Sequence, residues 1–454
     1  MTATLGSCQT TGIMDTALLI LRRALEGRKD NTNFYTKRDS DAFRGAVTMK
    51  IMYLNDVGLD TPNSNNHLVI TMLKTFLDAG NEVYLVESHT TGKYDDVPAV
   101  LKTYKKLHPV IIEKKQAGRT NFVKRYLNSI FFEYKAYRKW KKFIKEIDVV
   151  LLQSHYTATF SELFLKKHIE NVVFYIFDIF PGEAYINGNI KNKFVFNCLF
   201  NLQKILYKNC RLFLTLTEDT KRTLVSLGVD QQKIAIVPNW FDESVIKEIP
   251  RQENKFIREF NLDDSIHYIQ YAGTLGVSYD FDLLFRVAVK LKNRKDIVFQ
   301  IVGDGIYLGH LMELAEKESL SNIQFIPWQP IERLSDVYSA CTLQIVPMRK
   351  QVIKNSYPSK ILPLMACGRV PVISVDEDSW FYEDINRNKV GIAVPLDDED
   401  GLANGIVKLI DNRKLRREMQ SNAKNYVGRN YASGLNTRKM LNEFYKLIGE
   451  KTNE

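Results

Sequence analysis

The sequence predicts an α/β protein built from two doubly wound domains, each with a parallel sheet, that face each other across a cleft. Two observations lead to this prediction. The chain has 454 residues, more than one ordinary hydrophobic core accommodates, so two domains are expected. Apolar strand-like segments also alternate with amphipathic helical segments in two successive series, as parallel sheets with crossover helices require.

The first series begins at Met49 with the apolar segment MKIMYLND. Its predicted strands cover residues 50–54, 82–86, 149–152, 172–177, 212–216 and 233–237, and its clearest helices cover 66–79 and 217–227. Residues 1–48 are polar and weakly patterned, so we expect them to form an extension outside the fold.

The second series follows a charged stretch at 247–264. Its predicted strands cover residues 268–272, 297–302, 323–325, 343–346, 370–375 and 391–394, separated by helices at 280–292, 309–318, 331–338 and 401–411. The predicted domains are therefore 49–242, joined by a C-terminal helix at 436–454, and 243–435. A ligand is expected in the cleft, at the carboxyl ends of the strands.

Composition excludes several classes of protein. A hydrophobic content of 45% and a charged content of 26% are typical of a soluble globular protein. The five cysteines are scattered, which argues for a reducing compartment and against a structural zinc site. No segment approaches the ~20 apolar residues of a membrane-spanning helix, and the apolar run at 17–21 lacks the preceding basic residues of a secretion signal. We expect a cytoplasmic protein, either free or on a membrane face.

The basic residues are concentrated in one segment. Residues 114–145 contain eleven Lys and Arg against a single acid, Glu133, while the whole chain has a formal net charge of +10. Aromatic residues interleave with these charges at helical spacing, which predicts an amphipathic helix or helix pair. Such a segment suits an anionic membrane surface. The candidate membrane or acceptor contacts are Lys124, Arg125, Arg138, Lys139, Trp140, Lys141 and Lys142.

A solvated basic face with its aromatic residues in the core is the alternative interpretation of this segment. Nucleic-acid binding is not expected, because no recognisable nucleic-acid module accompanies the charge.

Three motifs at strand ends of the second series carry the chemistry. Residues 271–276 (YAGTLG) and 302–305 (VGDG) place glycines directly after strands, where backbone can approach a diphosphate. Residues 357–373 (YPSKILPLMACGRVPVI) predict a helix that starts near Pro358 and Ser359 and ends at Gly368, followed by a buried strand. Lys360 in its first turn would add a positive charge to the helix N-terminus.

Together these motifs resemble the family 4, or group 1, retaining glycosyltransferases of the GT-B fold, with two Rossmann-like domains. The resemblance extends from Met49 to about Tyr431 and includes LDAGNEV at 77–83, VPNWFD at 237–242 and FIPWQP at 325–330. The PSK motif and FDIFPGEAY at 177–185 most resemble the transferases that build bacterial surface polysaccharides on lipid-linked carriers.

The resemblance implies a nucleotide-sugar donor, with UDP favoured over GDP, and no catalytic metal or separate cofactor. It also implies an acceptor held by the N-terminal domain, which we expect to be a polyprenyl-diphosphate-linked saccharide at the inner face of the cell membrane. The donor-binding residues would be Gly273, Thr274, Gly276, Gly303, Asp304, Trp328, Ser359 and Lys360.

Three residues of the first domain are the candidate catalytic groups. His155 follows a strand where the family often has a histidine that contacts the transferred sugar; a loop histidine bonded within the protein is the alternative. Asp178 and Glu183 flank Pro181 after the next strand. They would orient the acceptor hydroxyl or serve as a base, unless they only cap a helix and a turn.

The sequence also departs from the family pattern. The two glutamates of the Glu-x7-Glu motif fall at Asn355 and Pro363, and Thr274 and Ser278 lie where many members carry a basic residue. The N-terminal glycine loop is replaced by PNSN at 62–65, so Lys360 and helix-end N–H groups would carry most of the phosphate binding. Two alternatives follow: a non-catalytic membrane partner of an active transferase, or a nucleotide-sugar epimerase of similar fold.

Overall fold

The computed structural model describes residues 48–60, 65–90, 97–114 and 122–449, and it contains two parallel sheets. The predicted extension at 1–48 and the segment at 62–64 lie almost entirely outside these residues. The first sheet has seven strands in the order β3-β2-β1-β4-β5-β6-β7. Its strands are β1 (Lys50–Asn55), β2 (Glu82–His89), β3 (Leu107–Glu113), β4 (Val149–Gln153), β5 (Val172–Ile176), β6 (Leu212–Thr215) and β7 (Ile234–Ile236).

Helices cover both faces of this sheet, so its central strands are buried on both sides. They are α1 (Asn66–Asp78), α2 (Ala99–Lys102), α3 (Phe122–Trp140), α4 (Ala158–Leu165), α5 (Gly182–Ile186), α6 (Lys193–Asn209) and α7 (Glu218–Ser226), with 3₁₀ turns at Ile144–Glu146 and Gln231–Lys233.

The second sheet has six strands in the order β10-β9-β8-β11-β12-β13. They are β8 (His267–Ala272), β9 (Ile297–Val302), β10 (Ile323–Ile326), β11 (Leu343–Pro347), β12 (Val370–Ser374) and β13 (Ile392–Val394). The helices are α8 (Lys255–Glu259), α9 (Phe281–Lys290), α10 (Leu308–Lys317), α11 (Leu334–Ala340), α12 (Val352–Asn355), α13 (Ile361–Ala366), α14 (Trp380–Arg387), α15 (Glu399–Asp411) and α16 (Arg413–Asn430), with 3₁₀ turns at Arg251–Glu253 and Ile331–Arg333.

The last helix, α17 (Ser433–Gly449), returns to the first sheet and packs on α1. The rings of Phe76 and Phe444 lie 5.6 Å apart, and the hydroxyls of Thr75 and Thr437 share a hydrogen bond of 2.9 Å. The chain therefore crosses between the sheets twice. The predicted domain limits stay a prediction. The second crossing agrees with the part of it that joins the C-terminal helix to the first domain.

The predicted fold class is confirmed, and all twelve predicted strands are present within one to three residues of their expected limits. β3, an edge strand that contains Pro109, was not predicted. Proline is compatible with a sheet edge because it has no N–H to donate. The helix of the PSK motif begins later than expected, at Ile361, so Lys360 is its N-cap residue and not part of its first turn.

Four glutamines, three of them buried and Gln324 half-buried, form a row across the second sheet. Gln344, Gln270, Gln300 and Gln324 are in register on β11, β8, β9 and β10. Gln270 donates to Gln300 at 3.3 Å, and Gln300 donates to Gln324 at 3.0 Å. Buried amides usually have hydrogen-bond partners, so these two bonds tie the side chains to the alignment of β8, β9 and β10. The Gln344 amide has no hydrogen-bond partner among the described residues.

Within the described ranges, no helix is both long and apolar enough to cross a bilayer.

Candidate active site

The two glycine loops of the second domain pack against each other at the carboxyl ends of β8 and β9. Gly303 has φ +149°, and a Cβ there would lie 2.0 Å from the carbonyl oxygen of Gly273. Gly305 has φ +155°, and its Cβ would lie 2.4 Å from the Leu275 carbonyl oxygen. These two glycines are therefore required by the packing of the loops. Gly276 borders open space, where backbone could approach a ligand.

Lys360 lies beside these loops without a carboxylate partner among the described residues. Its Nζ donates to the Tyr271 hydroxyl at 2.8 Å and lies 4.0 and 4.2 Å from the ring centroids of Tyr271 and Tyr279. The Tyr271 hydroxyl in turn donates to the Thr274 carbonyl at 2.7 Å. A Cβ on Gly273 would lie 3.0 Å from Nζ, so the ammonium directly faces the glycine loop.

Burial among these aromatic rings lowers the pKa of Lys360 to about 7. Burial deprives the ammonium of hydration, which disfavours its charged form. A nearby anion favours the charged form again, so an ammonium in such a place is stabilised when an anion binds. The predicted phosphate-binding role of Lys360 therefore agrees with its surroundings. Ser359 is exposed just before it, and α13 has only six residues, so the lysine and not the helix supplies most of the positive potential.

Arg349 is a second cation at this edge, and the sequence analysis did not single it out. It follows β11, its guanidinium donates to the Tyr307 hydroxyl at 2.9 Å, and its backbone N–H donates to the Ser278 carbonyl at 3.1 Å. No acid of the described chain pairs with it. Sequence reasoning looked for a basic residue after β8, whereas the fold brings one from the end of the neighbouring strand.

Two apolar side chains project near the ends of β9 and β10. Trp328, a predicted donor contact, is 61% exposed, and Ile306, which was not predicted, is 76% exposed. The predicted Asp304 and Thr274 are also exposed, and Asp304 accepts the Gly305 N–H at 2.7 Å. Exposed apolar groups beside cations are suited to a ligand that has both a flat ring and phosphates.

Asp178 and Glu183 face the second domain from the first. Desolvation in the cleft raises the pKa of Asp178, while a hydrogen bond from Ser356 opposes this shift. Burial and the nearby Asp178 together raise the pKa of Glu183 to about 7. The two predicted carboxyls thus act on each other, and Glu183 changes its charge near neutral pH.

A chain of hydrogen bonds connects Glu183 to the second domain. The Asn187 amide donates to the Glu183 carboxyl and accepts from the Ser278 hydroxyl at 3.1 Å. Nearby, the Ile179 N–H donates to the Asn355 carbonyl at 3.0 Å. Asn355, which replaces the first family glutamate, therefore contacts the opposite domain at Ile179 and Gly182.

His155 is bonded inside the first domain through both ring nitrogens. Nδ1 lies 2.7 Å from the Gln153 carbonyl and Nε2 lies 2.5 Å from the carboxylate of Glu133, which is fully buried and also accepts from Thr157 at 2.9 Å. Burial lowers the pKa of His155, but Glu133 and Asp56 outweigh it, so the net shift is upward. Both ring nitrogens lie against oxygen acceptors, which favours the protonated imidazole. Contact with a sugar by His155 stays a prediction.

A second buried network lies beside it. Asp56, after β1, pairs with Lys114, after β3, and accepts from the Ser129 hydroxyl of α3 at 2.7 Å. Burial opposes ionisation of Asp56, but Lys114 and His155 outweigh it and lower its pKa. Sequence reasoning missed both residues, because 58 positions separate them and no local motif contains them.

Residues 122–140 of the basic aromatic segment form one helix, α3, with two different faces. Phe132, Ala136 and Trp140 lie in the core, so Trp140 does not face a membrane, and that prediction is corrected. The opposite face exposes Leu127, Phe131 and Tyr134, with Phe131 65% exposed. Exposed bases lie among and after them: Lys124, Lys135, Arg138, Lys139, Lys141 and Lys142. Arg125 is half-buried and acts on Glu183.

Two family profiles together match most of the chain. The profile described as Glycosyl transferases group 1 matches residues 252–426, and that described as Glycosyltransferase Family 4 matches residues 66–245. The chain belongs to the group 1, family 4 glycosyltransferases. Members of this family are retaining hexosyltransferases, and the resemblance stated from the motifs is confirmed.

Curated relatives are distant. The chain is 23% identical over 163 residues to the putative colanic acid biosynthesis glycosyl transferase WcaI of Escherichia coli, which covers 36% of this chain and 40% of that protein. It is also 23% identical over 334 residues to an uncharacterized glycosyltransferase of Methanocaldococcus jannaschii, with 69% and 79% covered. The alignment thus spans less than half of WcaI.

Solved structures identify the fold as GT-B. HepE of Anabaena, crystallised in complex with UDP and glucose, superposes with a TM-score of 0.68 at 13% identity, covering 88% of this chain and all of that one. WaaG, a glycosyltransferase involved in lipopolysaccharide biosynthesis, gives 0.59 at 14% identity, covering 84% and 95%.

Proposed function

We propose that this family 4 glycosyltransferase transfers a hexose from a UDP-sugar to a lipid-linked or saccharide acceptor with retention at the anomeric carbon. One observation carries the proposal. Lys360 and Arg349, two cations without carboxylate partners in the described structure, lie at the glycine loops of one domain. The first domain, across the cleft, presents Asp178 and Glu183. UDP is the proposed nucleotide because the fold relative HepE was crystallised with UDP and with UDP-glucose.

The chemistry needs charge stabilisation more than a strong base. As the bond between the anomeric carbon and the diphosphate oxygen breaks, its electrons move to the diphosphate, and Lys360 and Arg349 stabilise that charge. The acceptor oxygen attacks from the same face, and its proton passes to the leaving phosphate oxygen. Glu183 and Asp178 would hold the acceptor hydroxyl in position for this transfer.

Calorimetry with UDP and GDP, without added metal, tests the donor site first. We expect binding of UDP at micromolar affinity and weaker binding of GDP. Binding of neither nucleotide by a folded sample would contradict the proposal and favour the non-catalytic partner.

Turnover of a UDP-sugar with and without acceptor then separates the enzyme classes. Asp178→Asn and Glu183→Gln should each lower transfer at least tenfold while UDP affinity stays within twofold of wild type. Asn197→Ala, an exposed change on α6, serves as the control. Conversion of the donor to an epimer without acceptor would favour the epimerase instead, and unchanged transfer in either variant would remove that carboxyl from the site.

The exposed face of α3 supports docking on an anionic membrane, as at the inner face of the cell membrane. Each basic residue near such a surface contributes about 1 kcal/mol. The start of α6 adds to this face: Phe194 is 74% exposed between Lys193 and Val195. Tyr126 of α3 and Phe196 of α6 pack in one cluster, so both helices border the same region.

Vesicle sedimentation tests this docking. Changing Lys124, Lys135, Arg138, Lys139 and Lys142 to Gln should reduce binding to anionic vesicles at least tenfold, with neutral vesicles as the control. Sedimentation equal to wild type would contradict the docking but leave the transferase activity open.

A further inference from the structure

The second domain contains a basic cavity far from the donor site. It has a volume of about 960 Å³ and lies at the opposite, amino-terminal end of the second sheet, where His267 begins β8 and Thr342 precedes β11. The donor loops follow Ala272 at the other end of β8. At about 3.3 Å per residue, the strand separates the two sites by roughly 17 Å.

Positive charge dominates the lining. Seven Lys and Arg side chains line the cavity against two acids, Glu248 and Asp264. Asp264 pairs with Arg251. Glu248 is shared between Arg369 at 3.3 Å and Lys424 at 3.0 Å. Both acids are therefore paired with basic side chains of the cavity, and most of the positive charge of the lining is not neutralised by them.

Three of the remaining cations come from the start of α16. Arg413 and Arg417 are exposed and have no acidic partner in the described chain. Arg416 donates to the carbonyls of Leu409 and Ile410 at 2.8 and 3.0 Å. The first turn of α16 has no acid at all. Basic residues at a helix N-terminus oppose the helix dipole, so the dipole of α16 does not stabilise this cluster.

Burial and the neighbouring Arg413, Arg417 and Arg369 lower the pKa of Arg416. Mutual repulsion of this kind is relieved when an anion enters between the guanidinium groups. Arginine forks are also well suited to phosphate oxygens, because they donate two parallel hydrogen bonds.

The remaining wall combines linker and apolar residues. Lys247 comes from the segment that connects the two sheets, and its side chain has no acidic partner among the described residues. Ile249, Pro250 and Ile266 supply apolar surface. The Ile249 N–H donates to Ser339 at 2.9 Å, which holds the linker against the cavity.

We propose that this cavity binds a small, multiply phosphorylated molecule, held by Arg413, Arg416 and Arg417 of α16 and by Lys247 of the linker. Its phosphates neutralise the cations that the fold leaves unpaired. Such a ligand would join the linker to α16, the helix that precedes the second crossing between the domains. The site is distinct from the donor site and does not depend on the proposed transferase activity.

Calorimetry with inorganic tripolyphosphate tests the site, in about 0.1 M salt and on the Lys360→Met/Arg349→Gln protein, which lacks both cations at the glycine loops. We expect one equivalent to bind. The double variant Arg413→Gln/Arg417→Gln should weaken binding at least tenfold. Lys414→Gln removes a charge from the same turn at a residue that does not line the cavity, and it should change affinity by less than twofold.

If tripolyphosphate does not bind to the protein in which only the donor-site cations are replaced, the proposal is overturned. Equal weakening by Lys414→Gln and by the double variant would also overturn it, because the attraction would then be non-specific. Both altered arginines are exposed, so loss of folding is not expected, and thermal unfolding of each variant checks this. Tighter binding of ATP than of tripolyphosphate would support a nucleotide as the ligand, with the apolar wall contacting the base.

Discussion

The two domains differ in whether the charged side chains near their strand ends have partners of opposite charge. In the first domain, Glu133 is paired with His155 and Asp56 with Lys114, and both carboxylates are buried. In the second, Lys360 contacts only aromatic groups and backbone. Paired buried charges stabilise a fold only relative to the loss of one partner. An unpaired cation instead costs stability and gains a partner only when a ligand binds. The comparison thus separates structural charges from binding charges.

The largest expected effect tests the structural side. Glu133→Gln leaves the His155 cation without its buried partner, which should cost about 3–5 kcal/mol of unfolding free energy. Urea denaturation measures this cost, and UDP affinity should stay within twofold of wild type.

Glu146→Gln is the matched control, since Glu146 pairs with Lys50 at the surface, where solvent and salt screen the pair and it contributes little to stability. If the Glu133→Gln protein is no less stable than this control, the pair of Glu133 and His155 is not a structural charge pair.

Lys360→Met tests the binding side. Losing a charge-assisted hydrogen bond to phosphate should weaken UDP binding by about 2–3 kcal/mol, or roughly 30- to 150-fold. Stability should be unchanged or higher, because the variant removes an unpaired cation. Calorimetry and urea denaturation measure the two quantities.

Arg349→Gln should have a smaller effect on UDP binding, about tenfold, because Arg349 is only half-buried. Lys317→Gln, an exposed lysine at the end of α10, should change neither quantity. If Lys360→Met destabilised the fold and left UDP affinity intact, Lys360 would belong with the structural charges.

The smallest effect is a pH dependence of UDP binding. The pKa of Lys360 is lowered to about 7, so the ammonium that we propose binds phosphate predominates below that pH and is lost as pH rises. UDP affinity should therefore fall by up to about tenfold per pH unit between pH 7.5 and 8.5. Lys360→Arg stays charged throughout and should be flat over this range; a parallel decline in both proteins would assign the titration to another group.

Sequence reasoning reached the second domain more completely than the first. The glycine loops and the PSK motif are local patterns, so their residues could be read in order along the chain. Asp56 and Lys114 meet only because β1 and β3 belong to one sheet. Arg349 was missed for a similar reason, since its position at the glycine loops depends on the neighbouring strand β8 and not on a motif of its own. Trp140 was assigned to the wrong face of its helix, because helical spacing alone did not decide which aromatic residues are buried.

The glutamine row of the second sheet has a consequence for assembly errors. A slip of one residue in β8, β9 or β10 would turn its amide toward the opposite apolar face and leave its neighbour without a partner. Parallel strands offer many nearly equivalent alignments of Val and Ile, but only one alignment joins the amides of Gln270, Gln300 and Gln324. The row therefore disfavours misaligned or strand-exchanged forms, because a slip of the central strand β9 loses both amide–amide hydrogen bonds at once.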